Sequence, residues 1–182
     1  MSQSVNTQTS KTKLLCFTAV CAALVCVGTF IAVPLPIGYF NLGDIFVLTA
    51  AWILGPWWGA AAAGIGAGLA DLLMGYASYA PATLIIKALM AIVAYAVYAK
   101  LTSDKTTVGK AAAVRVLAAV LGEAVMVGGY FLFESLIMGY GMGAAASIPG
   151  NALQGLCGVI GSVALSTALA ANRTCGKFLG IR

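Results

Sequence analysis

The sequence predicts an all-α integral membrane protein, a compact bundle of six transmembrane helices with both termini in the cytoplasm. Hydrophobic residues make up 62% of the 182 positions and charged residues only 8%, with a mean hydropathy of +1.00. Soluble domains are much less apolar than this. Six apolar segments follow one another, and most approach the ~20 residues that a helix needs to cross hydrocarbon.

The six segments cover residues 14–33, 44–54, 57–74, 81–101, 111–138 and 147–171. The second is short and extends into its flanks, and Gly55-Pro56 indicates a tight inner turn before the third. Links 34–43, 75–80 and 139–146 lie on the outer side, and the polar loop 102–110 lies on the inner side. Residues 1–10 are rich in Ser, Thr, Gln and Asn and predict a disordered tail, so residues 11–182 form a single membrane domain.

Basic residues set the orientation, because lysine and arginine are retained on the cytoplasmic side. Nine of the ten fit a cytoplasmic face in the six-span topology: Lys11, Lys13, Lys100, Lys105, Lys110, Arg115, Arg173, Lys177 and Arg182. The net charge of +5 is therefore explained by the basic residues retained on the cytoplasmic side, and no nucleic-acid partner is expected. The predicted location is the bacterial cell membrane, which the chain crosses several times.

Several kinds of chemistry are disfavoured by what the sequence contains. The chain has no histidine, and its five cysteines form no C-x-x-C pair, so a zinc or haem site is not expected. A serine or cysteine nucleophile paired with histidine is excluded, and no phosphate-binding P-loop is present. We expect no metal and no cofactor. A membrane enzyme remains an alternative, but its chemistry would depend on Asp, Glu and Lys alone.

Polar side chains gather near the outer ends of five of the spans. Lys87 is the tenth basic residue and lies inside an apolar segment. A charge in hydrocarbon costs several kcal/mol, so such a residue usually faces a partner or a wet cavity. The residues at this depth predict a solute pocket open to the outside: Asp44, Asp71, Lys87, Tyr130, Glu134, Asn151 and Gln154.

Structural alternatives exist for the charged members of this group. Asp44 could cap the second helix, Asp71 and Lys87 could form a structural ion pair, and Glu123, nearer mid-membrane, could bond a neighbouring helix. A purely structural network has no reason to occupy one side of the membrane, so the one-sided distribution favours a pocket.

Aromatic residues crowd the same side. Taken singly, each is typical of the aromatic belt at a membrane interface. Tyr39, Tyr76 and Tyr79, however, lie in links that border the charged cluster. Stacking surfaces beside charged hydrogen-bonding groups would suit a flat, polar heteroaromatic solute.

Small residues recur at helical spacing in two spans. Ala60, Gly64 and Gly68 share one face of the third span, and Gly155 and Gly158 share one face of the sixth. Such stripes let helices approach closely inside a membrane, so they predict packing seams within the bundle.

Five segments together carry a family resemblance: PLPIGYFNLGD at 34–44, ADL at 70–72, APATLIIK at 80–87, GYFLFE at 129–134 and IPGN at 148–151. With them the chain resembles the substrate-binding S components of energy-coupling-factor (ECF) vitamin transporters. The likeness is greatest to the group that includes riboflavin-type and pyridoxine or hydroxymethylpyrimidine members.

The resemblance implies a six-helix bundle that binds a B-group vitamin or precursor from outside, under the loop that follows the first span. Pyridoxine-like or hydroxymethylpyrimidine-like compounds are the first expectation and riboflavin the second. It adds Asn41 to the expected site. It also implies that uptake needs a transmembrane coupling protein and two ATPase subunits.

In this family an A-x-x-x-A pattern on the first span contacts the coupling protein, and here Ala19 and Ala23 match it, with Ala22 adjacent. A packing seam inside the bundle is the alternative for these alanines. A self-sufficient secondary transporter or channel is the alternative for the whole chain, with Asp71, Lys87 and Glu123 relaying protons. The absence of an apparent internal repeat and of a helix broken at mid-membrane argues against it.

Overall fold

The computed structural model describes residues 2–35, 39–103, 106–172 and the single positions 174, 176 and 179, with side chains from residue 11 onward. Four of the basic residues predicted to be cytoplasmic lie outside the described residues: Lys105, Arg173, Lys177 and Arg182. Three residues of the first family segment also lie outside them: Pro36, Ile37 and Gly38. The elements are α1 (Ser2–Phe30), β1 (Ala32–Pro34), β2 (Tyr39–Asn41), α2 (Gly43–Leu73), α3 (Ala80–Leu101), α4 (Val108–Leu132) and α5 (Ile148–Ala171).

Within the described residues, five helical segments are long and apolar enough to cross a membrane: Lys11–Phe30, Gly43–Leu73, Ala80–Leu101, Val108–Ile137 and Gly141–Ala171. This agrees with an all-α membrane protein. The number is five and not the expected six because the second and third predicted spans both fall within α2.

Helix α2 is interrupted where the sequence predicts a turn. Gly55 has φ of 81° and ψ of −174°, a conformation that glycine adopts without strain, and Pro56 follows it. A Cβ on Gly59 would lie 2.7 Å from the Cα of Ala51. Eight residues of straight helix would separate these positions by about 12 Å, so the chain reverses at Gly55. Residues 43–54 and 56–73 are thus two arms that pack against each other.

Helix α1 begins at Ser2, so residues 2–10, where the sequence predicts a disordered tail, are helical in this structure. The polar segment contains neither glycine nor proline. Extending an existing helix fixes only one residue per added hydrogen bond, so the apolar part of α1 can continue into polar sequence.

The first outer link forms a small hairpin that the sequence does not reveal. Strands β1 and β2 pair antiparallel, with Ala32 opposite Asn41 and Pro34 opposite Tyr39. Each strand has only three residues, too few for an alternating pattern to be recognised. Leu35 reaches the start of α5, where a Cβ on Gly150 would lie 2.2 Å from its Cδ1. The hairpin therefore covers one end of the bundle.

Small residues permit the close contacts between helices that the sequence predicts. A Cβ on Gly64 would lie 2.6 Å from the carbonyl oxygen of Leu84 in α3, and one on Gly66 would lie 2.4 Å from that of Ala22 in α1. Backbones this close leave no room for larger side chains. The second arm of α2 is therefore held between α1 and α3.

Arg115, one of the basic residues expected near the cytoplasmic face, packs inside the bundle. Its side chain is fully buried, and Nη2 donates to the hydroxyl of Tyr98 at 3.2 Å. The guanidinium also lies 5.1 Å from the centre of the Tyr98 ring and 5.9 Å from that of Trp52. Aromatic faces attract a guanidinium, which allows it to pack among helices.

Candidate functional site

A small polar cavity of about 30 Å³ lies beneath the hairpin. Its described lining comes from the hairpin, α2, the N-cap and first turn of α3, α4, the π-helical turn after α4, and α5: Tyr39, Asn41, Asp71, Tyr79, Thr83, Tyr130, Glu134, Asn151 and Gln154. Eight of these nine were expected as site residues from sequence. The volume is close to that of one liquid water, whereas ligand pockets measure roughly 300–1,000 Å³.

Asp71 joins the end of α2 to the hairpin. The hydroxyl of Tyr39 donates to Oδ1 of Asp71 in a short hydrogen bond. Asp71 is 1% exposed, and its Oδ2 has no hydrogen-bond partner among the described residues. Nearby, the hydroxyls of Thr83 and Tyr130 bond each other at 2.9 Å. The second carboxylate oxygen of Asp71 is therefore buried in the wall of the cavity, beside Thr83.

Glu134 provides the second carboxylate, from a π-helical turn that spans Phe133–Ile137. Its Oε2 accepts from Ser147 at 2.5 Å and its Oε1 accepts from Tyr79 at 3.4 Å, which is a weak bond. The side chain is 2% exposed. π-Helical turns are rare and frequently occur at functional sites, since the extra residue per turn re-aims the side chains.

Aromatic rings form a continuous row beside the two carboxylates. The ring centroids of Tyr39 and Tyr76 are 4.9 Å apart, those of Tyr76 and Tyr79 are 6.5 Å apart, and those of Tyr79 and Phe133 are 5.4 Å apart. These distances are typical of favourable tilted and edge-to-face contacts. Tyr76 supports the row but is not among the residues that line the cavity.

Two tyrosines of the row, Tyr39 and Tyr79, keep their protons. Burial, with the negative charge of Asp71 beside it, raises the pKa of the Tyr39 hydroxyl above its ordinary value. Burial, with the charge of Glu134, likewise raises the pKa of Tyr79. Both hydroxyls therefore act as donors to the carboxylates over the physiological range of pH.

A second, deeper network joins the hairpin to α3. The backbone and side-chain nitrogens of Asn41 donate to Oε1 of Gln154 at 3.0 and 2.9 Å. The Nε2 of Gln154 donates to Oδ2 of Asp44 at 2.6 Å, and Oδ1 of Asp44 accepts from the ammonium of Lys87 in a short ion pair. All four residues are buried, so the network fixes the base of the hairpin.

Two of the structural alternatives for these charges are not found in the structure. Lys87 pairs with Asp44 and not with Asp71, because Asp44 on the first arm of α2 and Lys87 on α3 meet inside the bundle. Asp44 does not cap α2 either, since both of its oxygens are engaged by Lys87 and Gln154. Neither Asp44 nor Lys87 lines the cavity; they lie beneath it.

Glu123 lies in α4 beside this deeper network. Its side chain is 5% exposed, and neither carboxylate oxygen has a hydrogen-bond partner among the described residues. Glycines in α5 make room for it, since a Cβ on Gly158 would lie 2.2 Å from its Oε1 and one on Gly155 would lie 3.2 Å from its Oε2. The structural alternative for Glu123, a hydrogen bond to a neighbouring helix, is therefore not made within the described part of the chain.

Two contributors to the site were missed from sequence. Thr83 lines the cavity, and Ser147 donates to Glu134. Threonine and serine are common at helix ends and in membrane helices, so neither residue stands out in the sequence. The family segment at 80–87 contains Thr83 and was the one available signal.

The three alanines proposed for coupling occupy different surroundings. Ala19 and Ala23 are exposed on α1, one turn apart. Ala22 is half-buried and its carbonyl oxygen faces Gly66. The exposed pair and the partly internal Ala22 thus lie on different faces of the helix.

Comparison with known proteins matches residues 9–171 to the family described as "ECF-type riboflavin transporter, S component". The chain belongs to this family. It is also 35% identical over 130 residues to an uncharacterized protein in the gap 3'region of Pyrococcus woesei, a match that covers 71% of this chain and 81% of that protein.

Membership fixes the general role. S components are membrane-embedded substrate-binding subunits that bind vitamins for uptake, together with an ECF coupling protein and ATPases. The chain is accordingly a substrate-binding component of a transporter.

Proposed function

We propose that this S component binds a pyridoxine-like or hydroxymethylpyrimidine-like vitamin or precursor from outside the cell, with riboflavin as the second candidate. The cavity under the hairpin carries the proposal. It combines carboxylates, tyrosine hydroxyls and amides with a row of aromatic rings, which are the groups that bind a flat, polar heterocycle. Riboflavin is retained because the family description names it.

The direct site in this proposal consists of Tyr39, Asn41, Asp71, Tyr79, Tyr130, Glu134, Asn151 and Gln154, with Tyr76 as a stacking support. Asp44 and Lys87 lie beneath these residues and support them. Because the cavity measures about 30 Å³, ligand entry requires the hairpin to move outward with Tyr39.

The proposed topology follows the basic residues. The two arms of α2 are the second and third of six spans, and both termini are cytoplasmic in a bacterial cell membrane. The hairpin end then faces outward. The first arm has 12 residues and is about 18 Å long, shorter than the ~30 Å of hydrocarbon, so we propose that the bilayer thins or the flanking residues adapt there.

Uptake in this proposal depends on two ATPase subunits and on a coupling protein, and the coupling protein contacts the exposed Ala19–Ala23 face of α1. The side chains there are small, so another helix can approach closely. Ala22 supports this face from the inside of the bundle.

Titration calorimetry on the purified protein in detergent tests the binding function. We expect submicromolar affinity for one of the three compounds without ATP. Absence of binding to all three would remove the substrate assignment. Uptake into proteoliposomes by this chain alone, without ATPase subunits, would instead establish a secondary transporter.

A further inference from the structure

Glu123 is a buried carboxyl group that the proposed function does not use. It lies in α4, is 5% exposed, and does not line the cavity beneath the hairpin. Within the described part of the chain, neither of its oxygens has a hydrogen-bond partner. An ionised carboxylate is very unfavourable in such surroundings, so a group of this kind takes up a proton or acquires a counter-ion.

The surroundings of Glu123 make it part of a cluster of three ionisable residues. Asp44 from α2 and Lys87 from α3 both act on it electrostatically. On the α5 side it packs against uncharged glycine, and a Cβ on Gly158 would lie 2.2 Å from Oε1 of Glu123 and 3.0 Å from the Cβ of Asp44. The two carboxyl side chains therefore meet over the same glycine.

This cluster contains two carboxyl groups and one ammonium. Lys87 gives its ammonium to Oδ1 of Asp44, and Gln154 donates to Oδ2. Among the described residues of the cluster, only the oxygens of Glu123 are uncommitted. Hard cations such as Mg²⁺ and Ca²⁺ take about six or more oxygen ligands, so these two oxygens are too few for them. A proton neutralises the second carboxyl group without further ligands.

We propose that Glu123 is a proton-binding site, and that its proton exchanges places with the ammonium of Lys87. While Lys87 pairs with Asp44, the proton resides on Glu123. When the ammonium moves to Glu123, the O–H bond of Glu123 breaks and the proton passes to Asp44. Each arrangement places one ammonium and one proton on two carboxyl groups, so the cluster stays neutral inside the membrane.

The exchange acts on the hairpin through Gln154. The Nε2 of Gln154 donates to Asp44, and its Oε1 accepts from the backbone and side-chain nitrogens of Asn41. A hydrogen bond to an ionised group is roughly twice as strong as one between neutral groups. The bond from Gln154 therefore weakens when Asp44 carries the proton. The position of the proton thus determines how firmly the base of the hairpin is held.

Infrared spectroscopy of the full chain tests the proton site, because a protonated carboxyl group absorbs apart from a carboxylate. The protein is measured in H2O and D2O, in a detergent without ester groups. We expect a carboxylic-acid band that is lost in Glu123→Gln. Glu134→Gln is the control, since it removes another buried carboxyl group and should leave this band in place.

Two results would overturn the proton site. One is an identical carboxylic-acid region in the wild type and Glu123→Gln. The other is failure of Glu123→Gln to fold, because the amide keeps the shape and the neutrality of the protonated acid.

Asp44→Asn tests the exchange. An amide cannot balance the ammonium, so Lys87 should turn to Glu123, which then gives up its proton. We expect the band of Glu123 to disappear in Asp44→Asn while the protein stays folded. Retention of the band would overturn the exchange, as would failure of Asp44→Asn to fold where Glu123→Gln folds.

Thermal unfolding in sodium chloride and in choline chloride separates a proton from a bound metal ion. Both salts screen charges alike, but only sodium is small enough to enter the cluster. We expect equal melting temperatures in the two salts at each concentration. Stabilisation by sodium alone would assign Glu123 to a cation and overturn the proton site. None of these measurements uses a vitamin, so their outcome is independent of the proposed function.

Discussion

The hydroxyl of Tyr39 donates to the Asp71 carboxylate, and this bond joins the hairpin after the first helix to the far end of the second. The two residues are 32 positions apart in sequence. Tyr39 thereby occupies one oxygen of the carboxylate that we assign to the ligand. The hairpin and the ligand contact are consequently coupled, because any outward movement of Tyr39 frees that oxygen as an acceptor.

Removing the hydroxyl should loosen the hairpin. We expect Tyr39→Phe to lower the free energy of unfolding by about 1.5–3 kcal/mol, the usual value for a hydrogen bond to a charged group, and to speed ligand association. Thermal unfolding in detergent and stopped-flow binding measure the two effects. Tyr76→Phe is the control, since it keeps the ring contact with Tyr39 at 4.9 Å. An equal loss in both variants would show that the hydroxyl of Tyr39 is not the cause.

The stability that the Tyr39–Asp71 hydrogen bond contributes should depend on pH. The pKa of the Tyr39 hydroxyl is raised above its ordinary value of 10.0. The bond is therefore fully present below pH 10.0, and it is lost as the pH rises through the higher pKa of this hydroxyl in the folded protein. The stability difference between wild type and Tyr39→Phe should thus stay constant from about pH 7 to 9. Melting curves at several pH values check this, and a difference that disappears below about pH 9 would contradict the raised pKa.

The Asp44–Lys87 pair should contribute mainly to folding. Lys87→Met leaves the buried Asp44 without its cation, and breaking a buried pair in this way typically costs about 3–5 kcal/mol. Adding Asp44→Asn should recover part of the loss. A double-mutant cycle on unfolding free energies measures the coupling. Additive effects of the two substitutions would show that the pair is not energetically coupled.

The close approach of α1 and α2 should depend on Gly66. A Cβ there would lie 2.4 Å from the carbonyl oxygen of Ala22, which is backbone and cannot easily move, so we expect Gly66→Ala to destabilise by about 1–3 kcal/mol. Gly128→Ala is the matched control, because nothing lies within 4 Å of a Cβ at that position. Its melting temperature should stay level or rise.

The exposed face of α1 should carry coupling and not ligand binding. An Ala19→Trp, Ala23→Trp double variant should retain ligand affinity in detergent but lose co-purification with the coupling protein and uptake in cells. Ala22→Trp is the contrast, because Ala22 packs against the buried cluster of Ala50, Leu54 and Ala62 and added bulk there should lower stability. Lost affinity with an intact complex in the double variant would place Ala19 and Ala23 inside the binding unit.

Composition and the order of apolar segments were sufficient to predict an all-α membrane protein, and family segments were sufficient to predict an S component, as the match over residues 9–171 confirms. These properties depend on local hydrophobicity and on short motifs, which are readable along the chain. The turn at Gly55-Pro56 was predictable for the same reason, since glycine and proline restrict the backbone locally.

The pairing of charges was decided only by the tertiary structure. The predicted spans place Asp44, Asp71 and Lys87 at the same depth in the membrane. Depth alone does not determine which helices face each other. Because the first arm of α2 packs against α3, Lys87 forms its ion pair with Asp44. Asp71 instead accepts a hydrogen bond from Tyr39 and lines the cavity. A partner choice among buried charges depends on distances of a few ångströms between elements far apart in sequence, and those distances are set by the packing of the whole bundle.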